Sequence, residues 1–226
     1  MSEAFSSAKY LWSRYKIVPQ LPIKLSFWLL KKRLAPPFQQ SFHQRKFIFI
    51  HIPKTGGSSV GKSLCGTDTI GHYPYYIHQS IDPISFSDYY KFCFVREPVA
   101  RFISGYYYLK IGGKGPLDFK LRKYLCGNIN EFVQSGYLEK YLMDIVHFVP
   151  QSHFVSNNGS LVIDEFFKLE DISSATPIIK DKCGIQLRDI RENQAQDEIE
   201  QREQLESKSL EMIKAIYSKD YSIFNY

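Results

Sequence analysis

Apolar positions gather in two short runs, Phe47 to Ile52, interrupted only by His51, and Phe92 to Val95, each followed at once by polar and turn-forming residues. Nearly all-apolar runs of this length are expected of parallel strands buried on both faces, so strands are predicted over about 46–52 and 92–95. After the first run the period lengthens: Val60, Leu64 and Cys65 fall on one face of a predicted helix. Gly71-His72-Tyr73-Pro74-Tyr75-Tyr76-Ile77-His78 reads as a turn-rich aromatic segment. Pro98, tolerated at a helix start, opens a helix predicted through Arg101, Phe102, Ser104 and Tyr106 to Leu109. Residues 111–116 follow as a glycine-rich loop that can serve as a lid. Short amphipathic helices are predicted over about 119–145, with Phe132, Val133, Leu138 and Leu142 inward. Short strands are expected at Leu161-Val162-Ile163 and Phe166-Phe167-Lys168-Leu169. An acidic amphipathic helix is expected over about 195–218, burying Ile199, Leu205, Ile213 and Ile216, and the aromatic end from Tyr217 to Tyr226 is expected to pack back. Strands alternating with helices predict a three-layer α/β fold, P-loop-like, with a central parallel sheet. Ligands of such sheets bind at the carboxyl ends of the strands, which gathers Lys54, Arg96 and the 71–78 segment.

Charge divides the chain unevenly. The net charge is +6. Residues 1–46 hold nine Lys or Arg and one acid, whereas the remaining 180 carry 20 bases and 22 acids. The basicity belongs to an arm, residues 1–45, ahead of a domain expected over 46–226, and a general nucleic-acid surface is disfavoured. Leu21 to Leu34 mixes Phe27, Trp28 and leucines with Lys24, Lys31, Lys32 and Arg33, too short an apolar run to span a bilayer. It reads as a helix packed on the domain, or as a segment giving peripheral contact with an anionic membrane. The start of the chain lacks the pattern of a secretory signal peptide. The four cysteines form no C-x-x-C, which argues against a zinc site and a disulfide scaffold and fits a cytoplasmic setting.

The chemistry lies in the turn after the first strand, Pro53-Lys54-Thr55-Gly56-Gly57-Ser58-Ser59. Glycines let backbone amides approach an anion at a helix start, and a lysine adds a full charge. The loop has a second register. Gly56 to Ser63 matches the Walker A pattern, and Leu161 to Glu165 resembles a strand ending in a Walker B acid at Asp164, so a P-loop kinase or NTPase is the alternative reading. Against it, Pro53-Lys54-Thr55 stand between the strand and the first Walker glycine, which leaves Lys62 inside the helix. A second anion site is expected where the other strand ends, from Arg96 and, eight residues on, Ser104.

His51-Ile52-Pro53-Lys54-Thr55-Gly56-Gly57-Ser58-Ser59 resembles the 5′-phosphosulfate loop of PAPS-dependent sulfotransferases of the carbohydrate, heparan-type group. Phe94-Val95-Arg96-Glu97-Pro98, continuing to Ser104 and Tyr107, resembles that family's 3′-phosphate motif. Phe148-Val149-Pro150-Gln151 and the closing Asp220 to Tyr226 resemble it more weakly. The resemblance covers about 46–226. It implies transfer of a sulfuryl group from 3′-phosphoadenosine 5′-phosphosulfate (PAPS) to an acceptor hydroxyl, on a carbohydrate, with no metal required. It assigns Lys54 to charge on the leaving phosphate. Thr55, Gly56, Gly57, Ser58 and Ser59 go to the 5′-phosphate, and Arg96 and Ser104 to the 3′-phosphate. Arg101 is expected to support the loop. A histidine suits the role of base, and Gly71-His72 matches the family's glycine-histidine, so His72 is the expected base and His78 the reserve. His51 is expected to be structural. The chain is shorter than animal members and lacks their membrane anchor and luminal cysteines, so it looks like a bacterial, soluble relative whose acceptor is left open.

Overall fold

The structure, a computed structural model, describes residues 37–67, 70–114, 116–125, 127–187 and 204–226. The basic segment at 21–34 and the expected helical positions before 204, Ile199 among them, lie outside the described residues. The described residues fall into two compact units.

One unit, residues 37–96 with 151–187, holds the parallel sheet. Strand β1, Phe47–Ile50, pairs with β2, Tyr90–Val95, and β2 pairs with β3, Glu165–Lys168, so β2 is central. Phe49 stands opposite Phe92, and Phe92 opposite Glu165. All four residues of β1 are buried, as are Phe92 to Val95, which fits their unbroken apolar sequence. The Phe49, Phe92, Phe94 and Phe167 rings contact one another at centroid distances of 5.4–6.4 Å. Before β1 runs α1, Gln40–Arg45; between β1 and β2 come α2, Gly57–Cys65, α3, Tyr75–Ile81, and α4, Pro83–Asp88. Helix α2 buries Val60 and Leu64 and leaves Cys65 half-buried. The stretch expected as turns is therefore helical from Tyr75: Pro74, with no amide to give, precedes the first turn, and Ile77 and His78 face inward.

Helix α5, Gln151–Val155, leads into a two-stranded hairpin of Ser156–Asn157 with Ser160–Leu161. Of the strand expected at 161–163 only Leu161 is in a strand, paired with Ser156 in this hairpin's second half, Ser160–Leu161. Asn158 and Gly159, with φ of 50° and 90°, make its two-residue turn, and an Asn-Gly pair is the sequence signal for such a turn. Helix α6, Ile172–Cys183, follows β3 and ends on the left-handed Gly184.

The other unit, residues 97–150 with 204–226, is helical. Its longest helix, α7, Pro98–Lys110, has Pro98 in its first turn and Glu97 as cap, the carboxylate accepting from the Ala100 amide at 2.8 Å. Short helices follow: α8, Pro116–Leu121; α9, Ile129–Gln134, closed by an Asn128–Glu131 capping box; and α10, Tyr137–Tyr141. Phe102, Tyr106, Phe132, Leu138 and Phe148 meet in its core, and Leu142 packs half-buried against them. Helices α11, Ser207–Ile216, and α12, Ser218–Phe224, close the unit. Ile213, Tyr217 and Phe224 are fully buried, so the aromatic end does pack back, while Leu205 and Ile216 are half-buried. Arg101 is wholly buried here and donates to the carbonyls of His147 and Val149 at 3.3 and 2.8 Å, a structural role.

Among the described residues no helix is long and apolar enough to cross a membrane.

Candidate active site

β1 and β2 run parallel, so their carboxyl ends lie side by side, and the turns that leave them carry Lys54 and Arg96. The loop after β1 is bent by two residues in left-handed backbone. Lys54 has φ +68° and Gly56 has φ +73°. Glycine accepts that conformation freely, whereas lysine is strained in it by about 1 kcal/mol, the kind of local cost that clusters at functional sites. Thr55 is fully buried and donates its hydroxyl hydrogen to the Ile52 carbonyl at 2.9 Å, which fastens the turn from beneath.

Gly56 is the N-cap of α2, and no side chain caps the helix there. The Gly56 carbonyl takes the amides of Ser59 and Val60 at 3.1 and 3.3 Å. Gly57 and Ser58 occupy the first two helical positions, whose N–H groups have no helical carbonyl to bond. This end of a nine-residue helix is suited to an anion, because its dipole and its amides point the same way. Gly56 is favoured by its left-handed backbone, and Gly57 by the ring packed against it. A methyl at Gly56 would lie 2.6 Å from Leu169, and one at Gly57 would lie 1.9 Å from the His51 ring.

The register argues against the Walker reading. Lys62 is the sixth residue of α2, about 7.5 Å along its axis from the first, and it is exposed. Asp164 and Glu165 stand at the amino end of β3, opposite to where a Walker B acid ends its strand. Asp164 accepts from the Lys91 amide at 2.6 Å and pairs with its ammonium at 3.1 Å, and Glu165 accepts from Tyr90 at 2.5 Å. These acids tie the sheet edge together.

Arg96 follows β2, and its position is fixed by its own backbone. The buried Gln151 side chain accepts from the Arg96 amide at 2.9 Å and donates to the Arg96 carbonyl at 2.9 Å. The guanidinium donates to the Lys54 carbonyl at 3.4 Å, which joins the two motifs. Ser104 lies on α7, half-buried, in the helical unit. In the sequence Gln151 stands out only as the end of the weak Phe148-Val149-Pro150-Gln151 motif; its clamp on Arg96 spans 55 residues and has no local signal.

This chain belongs to the sulfotransferase family. A family model described as "Sulfotransferase family" matches residues 41–226, which takes in the loop, Arg96 and Gln151. Searches of curated proteins and of solved structures returned no match. The sulfotransferase family is one of PAPS-dependent enzymes, so the α/β architecture and the expected enzyme class both hold.

The histidines of this sulfotransferase sort by environment. His51, at the end of β1, is buried; its Nδ1 lies 2.9 Å from the Ile70 carbonyl, and its ring packs under Gly57. His72 is half-buried, with Nδ1 3.1 Å from the His51 carbonyl and its ring 4.2 Å from the His51 ring. A nitrogen facing a carbonyl must be the protonated one, so the neutral His72 ring carries its lone pair on Nε2. His78 is buried on α3 with its ring edge-on to Phe38 and Tyr73. Burial pushes its pKa down to about 3, so it is neutral at physiological pH. Tyr73 and Tyr106 are core residues, whereas Tyr75, Tyr76 and Tyr107 are half-buried. Among the described residues no group of three or more His, Cys, Asp or Glu could hold a metal ion.

Proposed function

We propose that the enzyme moves a sulfuryl group from PAPS to a hydroxyl of a carbohydrate acceptor by in-line transfer, with His72 as base. The observation that carries this reading is the hydrogen bond from Arg96 to the Lys54 carbonyl. It joins the loop suited to a 5′-phosphate to the arginine suited to a phosphate at the other side of the ribose. The uncapped start of α2 and the glycines beneath it fit a bound phosphate.

PAPS supplies the activated sulfuryl group and leaves as adenosine 3′,5′-bisphosphate. The amides of Gly57 and Ser58, with the Ser58 and Ser59 hydroxyls, hold the 5′-phosphate. Thr55 contributes mainly backbone, since its hydroxyl hydrogen serves Ile52. Lys54 stabilises the negative charge that grows on the oxygen bridging to that phosphate. Arg96 and Ser104 hold the 3′-phosphate. His72 Nε2 takes the proton of the attacking acceptor hydroxyl, and the His51 carbonyl keeps the ring in the required tautomer. His78 is a weaker candidate, since a base must reach solvent-borne substrate and this ring is buried among aromatics. Tyr75 and Tyr76, half-buried just beyond His72, suit the acceptor side. The catalytic domain is taken as 46–226, with residues 1–45 as a basic arm in a cytoplasmic protein.

Thermal shift with adenosine 3′,5′-bisphosphate against ATP with magnesium tests the donor: stabilisation by the bisphosphate alone supports the reading, and stabilisation by ATP alone sinks it. Labelled PAPS offered to a panel of carbohydrates and phenols tests the acceptor. Transfer to phenols alone would remove the carbohydrate assignment.

A further inference from the structure

The helical unit carries a surface to which the proposed transfer chemistry assigns no residue. Ile111 and Phe119 are among the most exposed large apolar residues described, at 81% and 63%. They stand together, because the Phe119 ring covers Gly112: a methyl there would lie 3.0 Å from its edge. The turn that presents them is built, with Gly112 and Gly113 at φ of 99° and 61°. The Gly113 amide donates to the Tyr108 carbonyl and the Lys114 amide to the Tyr108 hydroxyl, both at 2.9 Å. Behind it, Leu121 and Leu125 are buried in the core and anchor the segment.

Charge surrounds the pair. Lys114, Lys120, Arg122 and Lys123 are all exposed. Asp118 is the one acid between 110 and 125, and it is turned inward, accepting from Tyr108 at 2.5 Å and facing His147 at 3.4 Å. Along the same face Lys123 lies over the half-buried Tyr124 at 5.3 Å, and the Tyr124 ring meets Tyr141 at 5.3 Å.

We infer that the tip formed by residues 111–114 and 118–123 docks on an anionic lipid bilayer, with Ile111 and Phe119 entering the interface and the surrounding cations meeting lipid phosphates. Each component has its counterpart there: apolar side chains at the acyl boundary, tyrosines at headgroup depth, and lysines and arginine against negative surface charge. An anionic polysaccharide would account for the cations and leave the two exposed apolar side chains without a counterpart. The inference is independent of the donor and acceptor assignments, because it concerns lipid partition without substrate.

Sedimentation of the full chain with vesicles of phosphatidylcholine, with and without about one quarter phosphatidylglycerol, tests it. The parent is expected to partition onto the anionic vesicles alone. Neutralising two cations in Lys114→Gln with Lys120→Gln is expected to weaken partition by roughly 25-fold, about fivefold for each charge. Ile111→Ser with Phe119→Ser is expected to weaken it by about tenfold or more. Both pairs are exposed, so melting temperatures and the bisphosphate-induced shift should stay at parental values; should the apolar pair fail to fold, the lysine pair and the lipid dependence still decide. Equal partition of parent and variants, or equal binding to neutral vesicles, overturns the inference. So does loss of heparin-column retention in the lysine variant together with parental vesicle binding by the apolar variant, which assigns the tip to an anionic polymer.

Discussion

Gln151 holds Arg96 by both of its main-chain groups, one hydrogen bond in each direction and each 2.9 Å long. The side-chain amide acts as a one-residue extension of the sheet. It satisfies the backbone where β2 has run past its neighbours. Arg96 is left with its charge directed to Lys54 and the loop.

Gln151→Leu removes both bonds and exposes two buried backbone groups to the cost of losing them, on the order of 3 kcal/mol. Denaturant unfolding should register that loss. Affinity for adenosine 3′,5′-bisphosphate should fall about tenfold or more as Arg96 loses its placement. Gln151→Glu keeps the acceptor, loses the donor and sets a buried carboxylate oxygen against the Arg96 carbonyl, so its effects should be at least as large in unfolding.

Lys54 sets stability against activity. Lys54→Gly accepts the φ of +68° without strain, yet removes the charge assigned to the leaving phosphate. Unfolding free energy is expected to hold or rise by up to about 1 kcal/mol, with sulfuryl transfer reduced by roughly 10²–10³. Lys62→Ala, at an exposed helical position, should leave transfer near the parental rate. A larger loss from the Lys62 variant would return the Walker register to consideration.

His78 predicts a pH dependence of stability. Its folded pKa, about 3, lies below the ordinary histidine value of 6.5. The unfolded chain therefore takes up this proton first as pH falls. The stability tied to the neutral ring is complete above pH 6.5 and is lost progressively down to about pH 3. Between pH 7 and pH 5 that contribution amounts to about 2 kcal/mol. His78→Phe should flatten the profile by this amount in parallel urea titrations; an unchanged slope would place the ring in a more polar setting.

Transfer by the parent should fall as pH is lowered and the base is protonated, since Nε2 then loses its lone pair. His72→Ala should lower the rate by roughly 10²–10⁴ while leaving bisphosphate-induced stabilisation intact. Loss of that stabilisation would mean that the ring supports the nucleotide site instead.

The two motifs were legible because each is contiguous: a strand, a turn and a helix start write their chemistry into about a dozen neighbouring residues. The partners that hold them were not. His72 meets the His51 carbonyl, and Gln151 meets the Arg96 backbone, through main-chain atoms whose positions no side-chain identity records. The hairpin at 156–161 was legible in principle from Asn158-Gly159, but the neighbouring apolar Leu161-Val162-Ile163 drew the strand to the wrong residues. The helix at Tyr75–Ile81 was hidden by its aromatic composition, and packing of Ile77 and His78 overrides weak local propensity there.

Gly57→Ala tests how tightly the loop is seated. The added methyl meets the His51 ring at 1.9 Å, so ring or loop must move, and a cost of about 1–3 kcal/mol is expected with loss of bisphosphate binding. The same contact has an evolutionary reading. Positions 51 and 57 share a single volume, which an aromatic-sized ring at one end fills only while the other end is bare. In an alignment of relatives the two columns should therefore change together. A member with a smaller residue at the position of His51 would have room for a side chain at the position of Gly57, and with it a different shape of floor beneath the same phosphate.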